Sequence, residues 1–171
     1  SDIPLSDAEQ AMRIIKSHAD EWNISSDQIG VMGASAGGHL ASTLATHTMD
    51  DLRPAFQILF YPVITMKQEY THGGSRQNLL GSDPTKDNVE AYSNELRVTS
   101  DTPPAFIMLS GDDDVVPIQN SFSYYLALLQ HKVPAEMHVY PSGGHGWGYL
   151  ENFFFKKQWI FELEEWLKNL K

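Results

Sequence analysis

The feature that most constrains this chain is Gly33-Ala34-Ser35-Ala36-Gly37-Gly38, set between the apolar run Ile29-Gly30-Val31-Met32 and a helix-like stretch from His39 to His47. A Gly-x-Ser-x-Gly turn at a strand-to-helix junction pushes the serine Oγ outward, where a base can reach it. Small flanking residues let strand and helix pass closely without a Cβ clash. The pattern alone would arise by chance in about one chain in twenty of this length, so the adjoining strand and helix carry much of its weight. Such a turn can also serve as a junction that only packs, or as an anion site at a helix N-terminus. No Lys-Ser/Thr pair follows the glycines and no Gly-x-Gly-x-x-Gly spacing is present, which disfavours a phosphate loop or a dinucleotide fingerprint. Ser35 is the candidate nucleophile.

A nucleophilic serine needs a base, and the base needs an orienting acid. On a strand–turn–helix scaffold the chain order is Ser, then Asp or Glu, then His. Of the seven histidines, only His131, His138 and His145 follow the acidic run Asp112-Asp113-Asp114. His131 lies near the end of an amphipathic helical stretch. His138 alternates within Ala135–Tyr140, as a strand side chain does. His145 alone sits in a loop, Pro141-Ser142-Gly143-Gly144-His145-Gly146-Trp147-Gly148, whose glycines allow a tight fold towards the carboxyl edge of a sheet. It is the candidate base. The acidic run follows Ala105-Phe106-Ile107-Met108-Leu109, which reads as a buried parallel strand. Three adjacent carboxylates cannot share one role, and those not used would form a solvated turn capping the next helix, Asp114 in particular.

Ser35, an acid of the 112–114 run and His145, in that order, resemble an α/β-hydrolase triad. The resemblance also selects the acid. The family pattern begins Pro-Pro, continues through a strand and ends Asp-x-Val-Val-Pro; counted from Pro103-Pro104 it ends on Asp113, with Leu109-Ser110 where His-Gly often stands. Asp113 is therefore the candidate and Asp112 the fallback. Within the superfamily the chain is similar to bacterial carbohydrate esterases, including acetylxylan and xylanase-associated esterases. That similarity rests on the nucleophile block through Ser42, on Phe60-Tyr61-Pro62-Val63, Asn78-Leu79-Leu80-Gly81 and Tyr92-Ser93, and on Gly143-Gly144-His145-Gly146-Trp147.

The resemblance implies that Ser35 attacks an ester carbonyl, His145 takes its proton, Asp113 orients the imidazole and the N–H of Ala36 donates to the oxyanion. This chemistry calls for neither cofactor nor metal. Trp147, two residues past the histidine, is a candidate wall against the apolar face of a sugar; its other use is as a buried ring pinning the loop. His39 reads as structural. The family places a His-Gly-Gly segment before the nucleophile, and Ser1–Asp27 holds none. His72-Gly73-Gly74 follows Ser35 and reads as an ordinary glycine loop. The chain is accordingly expected to be the C-terminal part of a longer hydrolase, with the first strands of the sheet missing. A prolyl-oligopeptidase-like serine peptidase, a thioesterase or lipase, and an inactive truncated hydrolase acting as a binding or structural module would share these motifs.

Length and composition agree with an enzyme domain. At 171 residues, 42% of them apolar and 20% charged, the chain suits one globular domain with its own core. A net charge of −10 opposes nucleic-acid and acidic-membrane partners and suits an uncharged small-molecule or oligosaccharide ester. No run approaches the roughly twenty apolar residues of a membrane span. Cysteine is absent, which excludes a disulfide framework or a cysteine-ligated zinc site. Ser1–Leu5 has no signal-peptide pattern, and both a secreted or periplasmic and a cytoplasmic bacterial location fit.

Patterning predicts an α/β fold with a parallel sheet and flanking helices. Ser6-Asp7-Ala8-Glu9 has the form of a capping box, followed by Leu5, Ala8, Met12, Ile15 and Ala19 at helical spacing. Strands are expected at 29–32, 56–61, 105–109 and 135–140, with helices over 38–47 and 118–130. A terminal helix presents Trp159, Leu163, Trp166, Leu167 and Leu170 as one stripe. Residues 64–102 form a polar excursion with helical pieces near Asn78 and Val89, read as a lid or pocket wall.

Overall fold

A computed structural model describes residues 3–48 and 51–170; Ser1 and Asp2 of the Ser1–Leu5 segment lie outside the described residues. The chain begins with α1 (Ile3–Ser17) and the single turn α2 (Ala19–Trp22). It continues through β1 (Val31–Ala34), α3 (Ala36–His47) and β2 (Gln57–Phe60). Next come α4 (Gly73–Leu80), α5 (Lys86–Ala91) and β3 (Ala105–Ser110). The last elements are α6 (Gln119–Gln130), β4 (Ala135–Tyr140) and α7 (Lys156–Asn169). The four strands form one parallel sheet in sequential order, with Met32 opposite Ile58, Ile58 opposite Phe106, and Phe106 opposite Glu136.

Strand side chains alternate between two faces. Leu59, Ala105 and Ile107 pack on one face with Ala41 of α3 and with Tyr124 and Leu128 of α6. Ile58, Phe60, Phe106 and Met108 pack on the other with Trp159 of α7, joined there by Ile160, Leu163 and Trp166. Covered on both faces, β2 and β3 read as continuous apolar runs rather than alternating ones. The α7 stripe differs from the expected one: Ile160 packs inward, Leu167 is exposed, and Leu170 falls just past the helix end.

Besides shifts of one or two residues at the starts of α3 and α6, two helix starts differ in kind from the sequence expectation. The capping box at Ser6 is overturned, because α1 already runs through Ser6 from Ile3. Pro4 does not block that first turn, where a helix has no N–H partner to lose. His72-Gly73-Gly74 is not an irregular loop: His72 caps α4, its ring accepting from Ser75 N at 3.2 Å. The helical pieces expected near Asn78 and Val89 are α4 and α5. β1 lies two residues later than the apolar run suggests, because Gly33 and Ala34 are drawn into the ladder opposite Leu59 and Phe60.

Buried polar side chains tie the 64–102 segment to the helices beneath it. Asn120 of α6 accepts from Ile64 N and Thr65 N at 2.9 and 3.0 Å and donates to Tyr70 O at 2.7 Å. The amide of Asn94 donates to Ser42 Oγ at 2.7 Å and Thr43 Oγ1 at 3.0 Å on α3. Two histidines of α3 complete the attachment: His39 Nε2 donates to Tyr92 O and His47 Nε2 to Ala91 O, each at 2.8 Å.

Candidate active site

Each parallel strand delivers one group to the carboxyl edge of the sheet, where open α/β sheets form their crevices. Directly after β1, Ser35 has φ +55° and ψ −121°, a conformation unusual for a residue with a Cβ. Such a geometry costs on the order of 1–3 kcal/mol and persists only where neighbours hold it. Here both main-chain groups are held. Ser35 N donates to Phe60 O at 3.0 Å, and Ser35 O accepts from Gly38 N and Val63 N, each at 3.0 Å. Close packing beneath the turn depends on Gly33, whose added Cβ would stand 2.1 Å from Gly37 O. Although Ser35 occupies the N-cap position of α3, its side chain makes no capping bond.

That hydroxyl instead lies 2.8 Å from His145 Nε2, and His145 Nδ1 lies 2.7 Å from Asp113 Oδ2. A carboxylate can only accept, so Nδ1 donates to Asp113 and Nε2 is left to accept from the serine. The Asp113 side chain is 1% exposed. Its second oxygen accepts from Val115 N and Val116 N, both at 2.9 Å, which fixes the carboxylate plane. Three groups named from sequence are thus brought within hydrogen-bonding reach. Ala36, the first residue of α3, presents its N–H beside the serine, among the helix-start amides that have no intrahelical acceptor.

The loop carrying His145 is shaped by glycine, with positive φ at Gly143, Gly144, Gly146 and Gly148. Asp112, the fallback acid, has a different partner: it accepts from Gly143 N at 3.3 Å and Gly144 N at 2.8 Å. The Gly144 bond is the main cause holding its carboxyl below the ordinary carboxylate range. Asp114 does not cap the following helix as expected; α6 starts at Gln119 with Ile118 at the cap position and no side-chain capping bond.

Trp147 is corrected outright as a sugar-facing wall. It is 2% exposed, stacks on Phe153 with centroids 4.1 Å apart, and donates from Nε1 to Ser110 Oγ at 2.9 Å. It pins the histidine loop to β3, and its indole is almost wholly covered. Tyr61, directly after β2, belongs to no catalytic motif of the sequence but stands at the site. Its ring packs 4.5 Å from the imidazole and its hydroxyl accepts from Gly148 N at 3.0 Å. Burial first, and the nearby Asp113 charge, raise its phenol above the usual value. The available signal was position: Tyr61 follows its strand as Ser35 follows β1.

Two cavities adjoin these groups. One of about 380 Å³ opens beside Ala36 and Gly37, walled by Leu40 and by Met66, Leu79 and Tyr92 of the 64–102 segment. His39 lines it in neutral form, because burial lowers its pKa to about 4. A separate hollow of about 270 Å³ lies against His145, bounded by Ser142, Gly143, Leu150, Asn152 and Phe154. Among the described residues no cluster of three or more His, Asp or Glu side chains is arranged to hold a metal ion.

With strand order, serine turn and histidine loop in place, comparison with known proteins identifies the family. Residues 2–148 match a family model described as the alpha/beta hydrolase fold. This chain belongs to the α/β-hydrolase family. It is 41% identical to an acetylxylan esterase of Xylanibacter ruminicola over 98% of this chain and 36% of that protein. It is 38% identical to endo-1,4-beta-xylanase B of Butyrivibrio fibrisolvens over 89% of this chain and 26% of that one. Among solved structures it is similar to an acetyl ester-xyloside bifunctional hydrolase from Caldicellulosiruptor lactoaceticus, with TM-score 0.90 and 38% identity over 96% of this chain and 64% of that one. The chain therefore spans about a third or less of these curated relatives and just under two thirds of that solved chain.

Proposed function

We propose that the chain carries the reacting groups of a serine carboxylic-ester hydrolase that cleaves short acyl esters, acetyl above all, of carbohydrate. The observation that carries this reading is the unbroken hydrogen-bonded line from Ser35 through His145 to Asp113, with links of 2.8 and 2.7 Å. As the ester carbonyl is attacked, the Ser35 proton passes to His145 Nε2, and the buried Asp113 carboxylate stabilises the imidazolium. The N–H of Ala36 donates to the oxygen that gains charge. When the tetrahedral species collapses, the C–O bond to the alcohol breaks and His145 returns the proton to the departing oxygen. Water, deprotonated by the same imidazole, then attacks the acyl carbon; the bond to Ser35 Oγ breaks, His145 returns the proton to Oγ and the acid leaves.

The substrate class is supported by the names of the relatives, an acetylxylan esterase and an acetyl ester-xyloside hydrolase among them. Residues 64–102 serve in this reading as a pocket wall, supplying Met66, Leu79 and Tyr92 to the cavity beside Ala36. The test is Ser35→Ala in the intact protein, assayed for acetate release from acetylated xylo-oligosaccharide. Turnover is expected to fall by about 10⁴-fold or more. An unchanged rate rejects the mechanism. Cleavage of a prolyl peptide in place of the acetyl ester moves the reading to a peptidase, and failure of an organophosphate to label Ser35 moves it to an inactive module.

A further inference from the structure

We infer that the hollow beside His145 is the subsite for the alcohol half of the ester, and that Phe154 is the platform on which a pyranoside ring rests there. The inference builds on the esterase reading and names the surface that selects its substrate. Chemistry decides which side of the serine the alcohol occupies. The imidazole that took the serine proton must deliver it to the departing oxygen, so that oxygen lies within hydrogen-bonding reach of Nε2. The sugar attached to it then extends past His145, and the hollow is a cavity that His145 itself lines. The cavity at Ala36 lies instead at the oxyanion N–H, on the acyl side.

The lining suits a neutral ring. Trp147 and Phe153, the obvious aromatic candidates, are 2% and 7% exposed and stack on each other. Phe154, next along the loop, is 89% exposed and bounds the hollow. Its ring meets Phe155 edge-on at 5.0 Å, and Phe155 stacks on Tyr140 of β4 at 5.3 Å. The remaining open aromatic face suits the C–H face of a pyranose. Asn152 and Ser142, at the same rim, offer donors and acceptors to ring hydroxyls.

The test compares two acetyl esters on the intact protein and its Phe154→Ala and Phe154→Trp variants: acetylated xylo-oligosaccharide and ethyl acetate, whose alcohol has no ring to rest on Phe154. In Phe154→Ala the ratio of kcat/KM for the sugar ester to that for ethyl acetate is expected to fall about tenfold, through KM. Phe154→Trp is expected to restore it. An unchanged ratio overturns the subsite, as does an equal fall for both esters, which would mark a structural role. Calorimetry of unesterified xylotriose on Ser35→Ala, with and without Phe154→Ala, separates this inference from the esterase reading. Binding that needs Phe154 supports the subsite even if the wild-type protein hydrolyses neither ester, whereas ester hydrolysis without such binding overturns the subsite alone.

Discussion

Asp112 and Gly144 are joined by a 2.8 Å hydrogen bond from the glycine N–H to the carboxylate, one residue before His145. Adjacent carboxylates of one turn therefore grip the same loop in two ways, Asp112 by its backbone and Asp113 by its imidazole. The first grip fixes where the ring stands; the second fixes which nitrogen carries the proton.

Replacing Asp112 with Ala should lower kcat while leaving the unfolding midpoint nearly unchanged, since the side chain is exposed. Because its folded pKa is depressed by the Gly144 bond, the restraint is complete above the ordinary carboxylate range and is lost as pH falls through the folded value. Protection of the Gly143 and Gly144 amides, as the ratio of intrinsic to observed exchange rate, should fall on that acid side in the wild-type protein. In Asp112→Ala protection should be low at every pH. High protection in the variant would count against the restraint.

Asp113→Asn keeps an oxygen for Val115 N and Val116 N but turns an N–H₂ towards His145 Nδ1. The imidazole is then driven to the tautomer whose Nε2 already bears hydrogen and cannot accept from Ser35. The kcat for an acetyl ester is expected to drop about 10⁴-fold, with the circular dichroism spectrum preserved. Retention of a tenth of the activity would show that Asp113 does not set the tautomer.

The two outer glycines of the serine motif should respond in opposite ways. A Cβ at Gly33 would stand 2.1 Å from Gly37 O, a backbone atom that cannot yield locally, whereas one at Gly37 meets nothing within 4 Å. Gly33→Ala should destabilise the protein by at least about 1–3 kcal/mol. Gly37→Ala, inside α3, should stabilise it by about 0.5–1 kcal/mol. Thermal unfolding midpoints compare the two.

His39 gives the stability curve an acid limb. Its folded pKa, lowered by burial to about 4, lies below the unfolded value near 6.5. Below pH 6.5 the unfolded chain binds the proton more readily, so stability is full above 6.5 and declines as pH falls towards 4, by about 3 kcal/mol in all. His39→Gln, with an amide that can still donate to Tyr92 O, should flatten that limb in urea titrations from pH 7 to 4. A limb of unchanged depth would place its origin elsewhere.

Elements with a strong period were legible from the amino acids alone. β4 spans Ala135–Tyr140 as alternation predicts, and α6 begins one residue later than expected. The start of β1 was obscured because Gly33 and Ala34 lack strand character and become strand only by pairing with Leu59 and Phe60. The apparent capping box misled because Ser6 and Glu9 are equally at home inside a helix that Pro4 permits. Ser35 and His145 were legible through local context, a sharp turn and a glycine-rich loop. Asp113 was picked out only through the family count from Pro103-Pro104, and the hold of Asp112 on Gly143 and Gly144 was not legible, since the carboxylates are chemically identical and differ only in what faces them. The burial of Trp147 depends on Phe153 and on Ser110 from another strand, contacts that no local pattern carries.

Sequential strand order leaves Ser35, Tyr61, Asp113 and His145 standing at the ends of consecutive rails, about 4.8 Å apart from one rail to the next. The gauge of that track is set by backbone pairing and is indifferent to what the chain does between rails. On the esterase reading proposed above, changes confined to the cavity-facing positions of the long detour from β2 to β3 would alter which ester is admitted while leaving the alignment of Ser35, His145 and Asp113 in place.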